Sequence, residues 1–237
     1  MSDDNPDRRR LIGAFAIPVF LVGILIIVAL LILSAVGNGS RQSDADNSKR
    51  LSAATMKKFR QNYDQRGVAI GSKSAPVTIR EFGDYQCPAC GAFAPVAKKI
   101  RKQLVASGKV RYLFFDFPLS MHQNAPKAAV AARCAARQGD FWAYHDRLYA
   151  TQAEWSESDK PMGHFLDLAV EAGVNTKTLK QCVANDATQD TVNAEKKVGQ
   201  EIGVRATPTL LIGNRVITGG KPYEKIKELV SRQANKG

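Results

Sequence analysis

Two cysteines three residues apart, in Cys87-Pro-Ala-Cys90, point most directly to chemistry in this 237-residue sequence. The spacing lets both sulfurs meet across one turn, so the pair can alternate between dithiol and disulfide. A strand-like run precedes the pair and a helix-like run follows it, which is a setting typical of a redox pair. Backbone N–H groups at a helix N-terminus stabilise a thiolate. We therefore predict that Cys87 is the nucleophile, with a lowered pKa, and that Cys90 is the buried resolving thiol.

The residues leave two other interpretations of the pair open. A structural disulfide between residues so close in sequence gains little stability, because the loop that it closes is short. A zinc site needs two further ligands, and the sequence contains no second close pair to supply them. We therefore expect no metal at the pair.

A carboxylate six residues before Cys87 is a candidate acid and base for the pair. Glu81 lies on the predicted strand that leads to the cysteines, and burial beneath them would raise its pKa. It could then take the proton from Cys90 as that thiol attacks a mixed disulfide. The alternative is a glutamate in water at the sheet edge. Asp84 is a competing acid that we rank lower, because successive residues of a strand face opposite ways and Asp84 lies on the face opposite to that of Glu81.

Thr207-Pro208 directly precedes a predicted strand and is the candidate substrate-binding segment. A proline at this place often marks only the start of a strand. An X-Pro bond can, however, be cis at modest cost. A cis proline would make a tight turn whose unpaired backbone groups could pair with an extended substrate peptide.

The elements that must position these residues follow an α/β order. The sequence predicts strands at 76–82 and 109–117, a hairpin of 209–212 with 215–217, and helices at 93–105, 125–136, 141–149, 165–172, 177–183, 186–202 and 222–233. The first two strands and their helix form a right-handed parallel βαβ unit. Helices within about residues 125–202 interrupt the sheet, so we predict an open α/β layer with a helical insertion.

An uncharged apolar run at residues 11–36 is long enough to span a membrane as one helix. Three arginines at 8–10 predict that residues 1–10 stay in the cytoplasm, so the rest lies outside it. A cleaved signal peptide, for which the run is long, and a buried core helix are the alternatives. Residues 37–65 are predicted as a tether or stalk, with a weak helical pattern over 51–63, and 66–237 as the domain.

Cys134 and Cys182 both lie in the predicted helical insertion. Two remaining cysteines in an oxidising compartment most simply pair. The long loop that such a structural disulfide closes would contribute about 4 kcal/mol of stability. Two free buried thiols and a redox role are the alternatives.

The histidines and tryptophans give weaker signals. His122 precedes a helix and is expected to be a cap or surface residue, His145 lies on an apolar helix face, and His164 has no evident partner. We assign no catalytic histidine. Trp142 and Trp155 are expected to pack in the core, with a place beside a peptide groove as the alternative.

The charge balance excludes few functions. Lys and Arg number 34 against 22 Asp and Glu, a formal net charge of +12. The basic residues are spread out, whereas nucleic-acid binding favours a clustered basic face with stacking aromatics. We therefore expect no nucleic-acid partner. Attraction to anionic lipid or envelope polymers is one use of the charge, and an ordinary solvated surface is the other.

Several stretches together resemble the DsbA-like thioredoxin-fold proteins, above all their membrane-anchored bacterial members. They are Gly71 to Cys90, Phe141 to Asp146, Gly203 to Thr209 and the Gly213-Asn214 turn. The pieces occur in family order from about residue 68 to the C-terminus. The resemblance implies a thioredoxin fold with a helical insertion, preceded here by one N-terminal transmembrane helix.

The resemblance also implies roles and partners. Cys87 would be the nucleophile, Cys90 the resolving thiol, Glu81 the buried acid, and Pro208 the cis proline that faces the sulfurs. The expected activity is disulfide donation to exported cysteine-containing proteins, with the cysteine pair itself as the only redox group. A quinone-linked membrane protein would reoxidise the pair, and the chain is expected to be a monomer. The alternatives are an isomerase or reductase on the same fold, and a non-catalytic chaperone or binding module.

Two features depart from the strong oxidants of this family. Alanine stands at the second position between the cysteines, where those oxidants carry histidine. A neutral alanine stabilises the thiolate less than histidine does. A difference of one unit in the pKa of the thiol corresponds to about 30 mV in the reduction potential of the pair. Thr207 is also shared with isomerase-type relatives, so the direction of the reaction stays open.

Overall fold

A mixed sheet of six strands forms the centre of the domain in the computed structural model, which describes residues 49–235. The strands are β1 Lys49–Arg50, β2 Val68–Ile70, β3 Val77–Gly83, β4 Val110–Asp116, β5 Thr209–Ile212 and β6 Arg215–Thr218. Their spatial order is β1-β6-β5-β3-β4-β2. Only the central pair β3 and β4 is parallel, and the other neighbours are antiparallel. The predicted parallel βαβ unit and the hairpin are thereby confirmed.

Nine α-helices surround this sheet in the described part of the chain. They are α1 Ala53–Asn62, α2 Pro88–Ile100, α3 Ala125–Ala136, α4 Phe141–Ala150, α5 Gln152–Trp155, α6 Met162–Glu171, α7 Thr176–Val183, α8 Asp186–Glu201 and α9 Tyr223–Ala234. A π-helical turn, Arg101–Val105, continues α2. Helix α2 begins directly after Cys87, so the cysteine pair opens this helix as predicted.

The side chains of the central strands alternate between two separate cores. Ile79 of β3 packs with apolar residues of α2 and α9 on one face of the sheet. Phe82 of the same strand packs on the other face with residues of α1 and α8. Two apolar faces on one strand explain why β3 has no polar side exposed to water.

The helices between β4 and β5 form the predicted insertion, which begins at Ala125 as expected and ends at Glu201. The alanine-rich α3 lies in a third core with α4, α6 and α7. Tyr85, Cys87 and Cys90 belong to the same core. The cysteine pair therefore lies where the insertion meets the sheet.

The domain begins earlier than the predicted boundary at residue 66. Helix α1 lies within the predicted tether, yet its Met56 and Phe59 are buried. The ring of Phe59 contacts the rings of Phe82 and Phe115, and β1 pairs with β6. Only two residues of α1 are buried, so its periodicity is weak and the sequence alone does not separate a docked helix from a stalk.

The predicted transmembrane helix at residues 11–36 lies outside the described residues, as do residues 1–10 and residues 37–48 of the predicted tether. Between residues 49 and 235, no helix has the length and apolar character needed to cross a membrane.

Candidate active site

The end of β3 and the start of α2 place the two cysteines. Cys87 is the N-cap residue of α2, and Pro88 lies in the first turn. Backbone N–H groups in the first turn have no partner within the helix, so proline, which lacks an N–H, costs no hydrogen bond there. Cys87 is nearly buried, with 7% of its surface exposed, whereas Cys90 is fully buried. A sulfur atom of another molecule can therefore approach Cys87 but cannot reach Cys90 directly.

The surroundings of Cys87 stabilise its thiolate. Several hydrogen bonds lower the pKa of Cys87 from 9 to about 5. The largest contribution comes from the Cys90 thiol, and smaller ones come from the Thr207 side chain and from the amides of Cys90 and Ala89. These contacts outweigh the desolvation that opposes them. At neutral pH, reduced Cys87 is a thiolate, which is the form that attacks disulfides.

Cys90 has the opposite character. Burial, with the hydrogen bond and the charge of Cys87 adding to it, raises the pKa of the Cys90 thiol well above its usual value. The Asp84 backbone N–H donates to Cys90 Sγ at 3.5 Å. Cys90 therefore needs a base before it can attack a mixed disulfide.

Glu81 lies on β3 and is buried, at 1% exposure. Burial raises its pKa from 4.5 to about 7, although the hydrogen bond from Tyr112 and the positive charge of Arg101 both lower it. The negative charge of Glu81 contributes to the raised pKa of Cys90, so the two groups interact. A carboxyl group that titrates near neutral pH can both accept and return a proton.

Tyr112 and Arg101 complete this site, and the sequence did not single them out. The Tyr112 hydroxyl donates to Glu81 Oε2. The Arg101 guanidinium lies 4.5 Å from the centre of the Trp142 ring and 5.9 Å from that of Tyr112, and it pairs with Asp146. Arg101 Nη1 is buried without a hydrogen-bond partner in the part of the chain that the structure describes. In sequence, Arg101 is one of several basic residues at the end of α2 and in the π-helical turn that continues it, and it gives no such signal.

Asp84, the competing acid, is buried as well but is occupied by other partners. Its carboxylate accepts the N–H groups of Gln86 and Leu119, at 2.7 and 2.8 Å. His122 Nδ1 lies 2.7 Å from Asp84 Oδ2. These contacts of the Asp84 carboxylate therefore connect the loop after β4 to the turn before the cysteines. His122 has a structural partner that the sequence analysis did not foresee.

Thr207 and Pro208 lie against the cysteine pair. The bond between them is cis, and the Cys87 thiol donates to the Thr207 carbonyl at 3.5 Å. The Thr207 hydroxyl is buried and contributes to the lowered pKa of Cys87. Strand β5 starts at the next residue and pairs with β3 at Phe82, which fixes this segment beside the sulfurs.

The remaining candidates are held by other partners. Cys134 and Cys182 form a disulfide between α3 and α7. Trp155 is fully buried and donates to the Leu148 carbonyl, so it does not line a groove. His145 is buried, and its Nδ1 is 2.9 Å from the Tyr85 hydroxyl. No group of three His, Cys, Asp or Glu side chains suited to a metal occurs among residues 49–235.

The chain matches the family described as Thioredoxin over residues 63–232. It belongs to the thioredoxin family. It is also similar to disulfide bond formation protein D of Bacillus subtilis, at 28% identity over 169 residues, which cover 69% of this chain and 75% of that protein.

Two solved structures show the same architecture. Oxidised BdbD from Bacillus subtilis matches with a TM-score of 0.66 at 28% identity, covering 73% of this chain and 95% of that one. Wolbachia pipientis alpha-DsbA1 matches with a TM-score of 0.64 at 20% identity, covering 71% and 90%, and supports the fold alone. The expected thioredoxin-like α/β fold is confirmed. This thioredoxin-family chain is a thiol–disulfide oxidoreductase.

Proposed function

We propose that this oxidoreductase donates disulfides to exported proteins through the Cys87–Cys90 pair. The asymmetry of the pair supports the proposal most strongly, because Cys87 has a pKa of about 5 while burial raises the pKa of Cys90. A stabilised Cys87 thiolate favours the reduced form, which makes the disulfide form a stronger oxidant. At pH 7 the lowered pKa is worth about 3 kcal/mol, or about 60 mV.

The proposed cycle begins with a client thiolate that attacks Cys87 Sγ and breaks the Cys87–Cys90 bond. Cys90 leaves as a thiolate and takes a proton from Glu81. A second client thiolate then attacks the client sulfur of the mixed disulfide, and Cys87 leaves as a stabilised thiolate. The client has lost two electrons to form its disulfide, and the cysteine pair has gained them.

Reoxidation reverses these roles on a different partner. We propose that a quinone-linked membrane protein supplies the disulfide and accepts the two electrons. Cys87 attacks that disulfide first. Cys90 then gives its proton to Glu81 and attacks Cys87 Sγ, which restores the pair. No redox group other than the two cysteines takes part.

The proposed location follows from the apolar run at residues 11–36 and the arginines that precede it. The N-terminus lies in the cytoplasm, the run crosses the membrane, and the oxidoreductase domain acts outside as a monomer. Extended client peptides lie against Thr207 and Pro208. The relative from Bacillus subtilis carries the name disulfide bond formation protein D, which fits this direction of the reaction.

A reductase or isomerase is the second candidate, because Thr207 precedes the cis proline. The reduction potential of the pair separates the two candidates. We expect equilibration of the full chain with glutathione to give a value nearer to about −120 mV, as for strong oxidants, than to about −270 mV, as for thioredoxin. A value near the thioredoxin potential would refute disulfide donation.

Two variants test the roles of the sulfurs. Cys87→Ser should not react with client thiols, because the attacked sulfur is missing. Cys90→Ser should accumulate a mixed disulfide when the Cys87 thiolate attacks oxidised glutathione, because Cys90 is missing and cannot displace the glutathione thiolate from Cys87 Sγ. Native rates in either variant, measured with a dicysteine peptide, would contradict the assignment.

A further inference from the structure

A cleft of about 420 Å³ opens at the edge of the sheet where β3 and β4 end. Its lining residues come from the loop after β4, from α8 and from the segment before the cis proline: Phe117, Leu119, Ser120, Lys196, Gln200, Val204 and Arg205. We name it the Lys196–Arg205 cleft. Its volume lies in the range of sites that bind small molecules or short peptide segments.

Both walls of the cleft are connected to the residues that hold the sulfurs. On one wall, the Leu119 N–H donates to Asp84, whose own backbone N–H contacts Cys90 Sγ. On the other, Arg205 lies two residues before Thr207, whose carbonyl accepts the Cys87 thiol. A peptide attached to Cys87 would therefore have this cleft beside it.

The lining combines an apolar floor with two cations. Phe117 and Val204 are buried, and Leu119 is partly exposed. Lys196 is partly exposed and Arg205 is exposed. Neither cation has a carboxylate partner within residues 49–235.

Neighbouring carboxylates are already engaged elsewhere. Arg133 pairs with Glu195, directly before Lys196 in α8. Glu201 accepts the Tyr63 hydroxyl and pairs with Lys58. The positive charge beside the cleft is therefore left for a group from another molecule.

We propose that the Lys196–Arg205 cleft binds the segment of a client protein that flanks its reacting cysteine and selects for acidic residues there. An apolar client side chain covers Phe117 and Val204, and a client carboxylate lies against Lys196 and Arg205. The inference rests on the proposed function. Charges at the rim of a site mainly accelerate encounter, so the preference should affect kcat/KM.

The test uses two synthetic peptides that each contain two cysteines and differ only at the residues flanking the first. One carries glutamates there and the other lysines. The oxidised full chain reacts with each, and kcat/KM is measured at low and high ionic strength. Dithiothreitol, which has no flanking residues, reports the redox chemistry separately.

The matched variants remove two positive charges from different places. K196Q/R205Q changes the cleft, and K102Q/K109Q changes two exposed lysines near the opposite edge of the sheet, where β4 starts. Both pairs lower the net charge equally. A difference between them therefore reports the position of the charges and not their number.

We expect native protein to prefer the acidic peptide by about tenfold at low salt, and this preference to shrink in 0.5 M salt. K196Q/R205Q should lose the preference, and K102Q/K109Q should keep it. Equal kcat/KM for the two peptides in native protein, or an undiminished preference in K196Q/R205Q, would overturn the inference.

Two further outcomes have distinct meanings. A kcat/KM that falls as protein concentration rises would show that a second copy of the chain covers the cleft. That result would overturn the assignment of the cleft to client proteins. Failure to oxidise dithiothreitol as well as both peptides would refute the proposed function itself.

Discussion

Replacing Tyr112 by phenylalanine removes a single hydroxyl from the base of the cysteine site. That hydroxyl donates to Glu81, and it lowers the pKa of Glu81 against the effect of burial. A hydrogen bond to a charged group contributes about 1.5–3 kcal/mol, which corresponds to about one to two pH units. Tyr112→Phe should therefore raise the pKa of Glu81 from about 7 to roughly 8–9.

The raised pKa should slow one step of the cycle. Cys90 attacks a mixed disulfide only after ionised Glu81 takes its proton, so the rate rises with pH through the pKa of Glu81. At pH 7 about half of the Glu81 side chains are ionised in native protein, against about 1–9% in the variant. Resolution should therefore be about five- to fiftyfold slower at pH 7, and the two rates should converge at high pH.

The assay mixes reduced protein with excess oxidised glutathione and quenches the reaction at intervals with acid. Mass spectrometry then follows the Cys87–glutathione adduct, whose decay reports the attack by Cys90. In Glu81→Gln the pH step near 7 should disappear. Tyr144→Phe is the matched control, because that buried hydroxyl donates to the Phe165 carbonyl. An unchanged midpoint in Tyr112→Phe would refute the reasoning.

Three other predictions concern the same site and the insertion. Folded protein holds the Glu81 proton more tightly than unfolded protein, because its pKa is about 7 and not 4.5. Native protein therefore loses stability as pH rises from about 4.5 to about 7. In urea unfolding at pH 8, the free energy of unfolding of Glu81→Gln should exceed that of native protein by about 3 kcal/mol. Near pH 4 the two free energies should be equal. Removing both Cys134 and Cys182 should lower the unfolding free energy by about 4 kcal/mol; a loss under 1 kcal/mol in urea would contradict it. Iodoacetamide should label reduced Cys87 with a midpoint near pH 5, and the midpoint should rise in Cys90→Ala, which lacks the largest source of the lowered pKa. A midpoint that stays near pH 5 in that variant would be inconsistent with the geometry.

Local patterns in the sequence predict most of the secondary structure. The strand at β3, the hairpin turn and the helix at α3 follow from periodicity, β-branched residues and turn residues, which act over a few neighbours. Gly213 has φ of +59° in the turn of the hairpin, a conformation that glycine favours. These features need no knowledge of distant contacts.

The boundary of the domain illustrates where local patterns fail. Helix α1 has only two buried residues, and its place is fixed by Phe82 and Phe115 on the sheet. The ion pair between Arg80 and Asp64, both buried, joins the same segment to β3. A short helix with few apolar residues is stabilised by its partners and not by its own propensity.

For the active site, the sequence by itself determines the cysteine pair, its place at a helix N-terminus, and an acid on the strand before it. Spacing and helix geometry are local, so Cys87, Cys90 and Glu81 can be named without a structure. Only the tertiary structure brings Tyr112 to Glu81 and His122 to Asp84. These partners are remote in sequence, and packing of the sheet against its helices decides which of them meet.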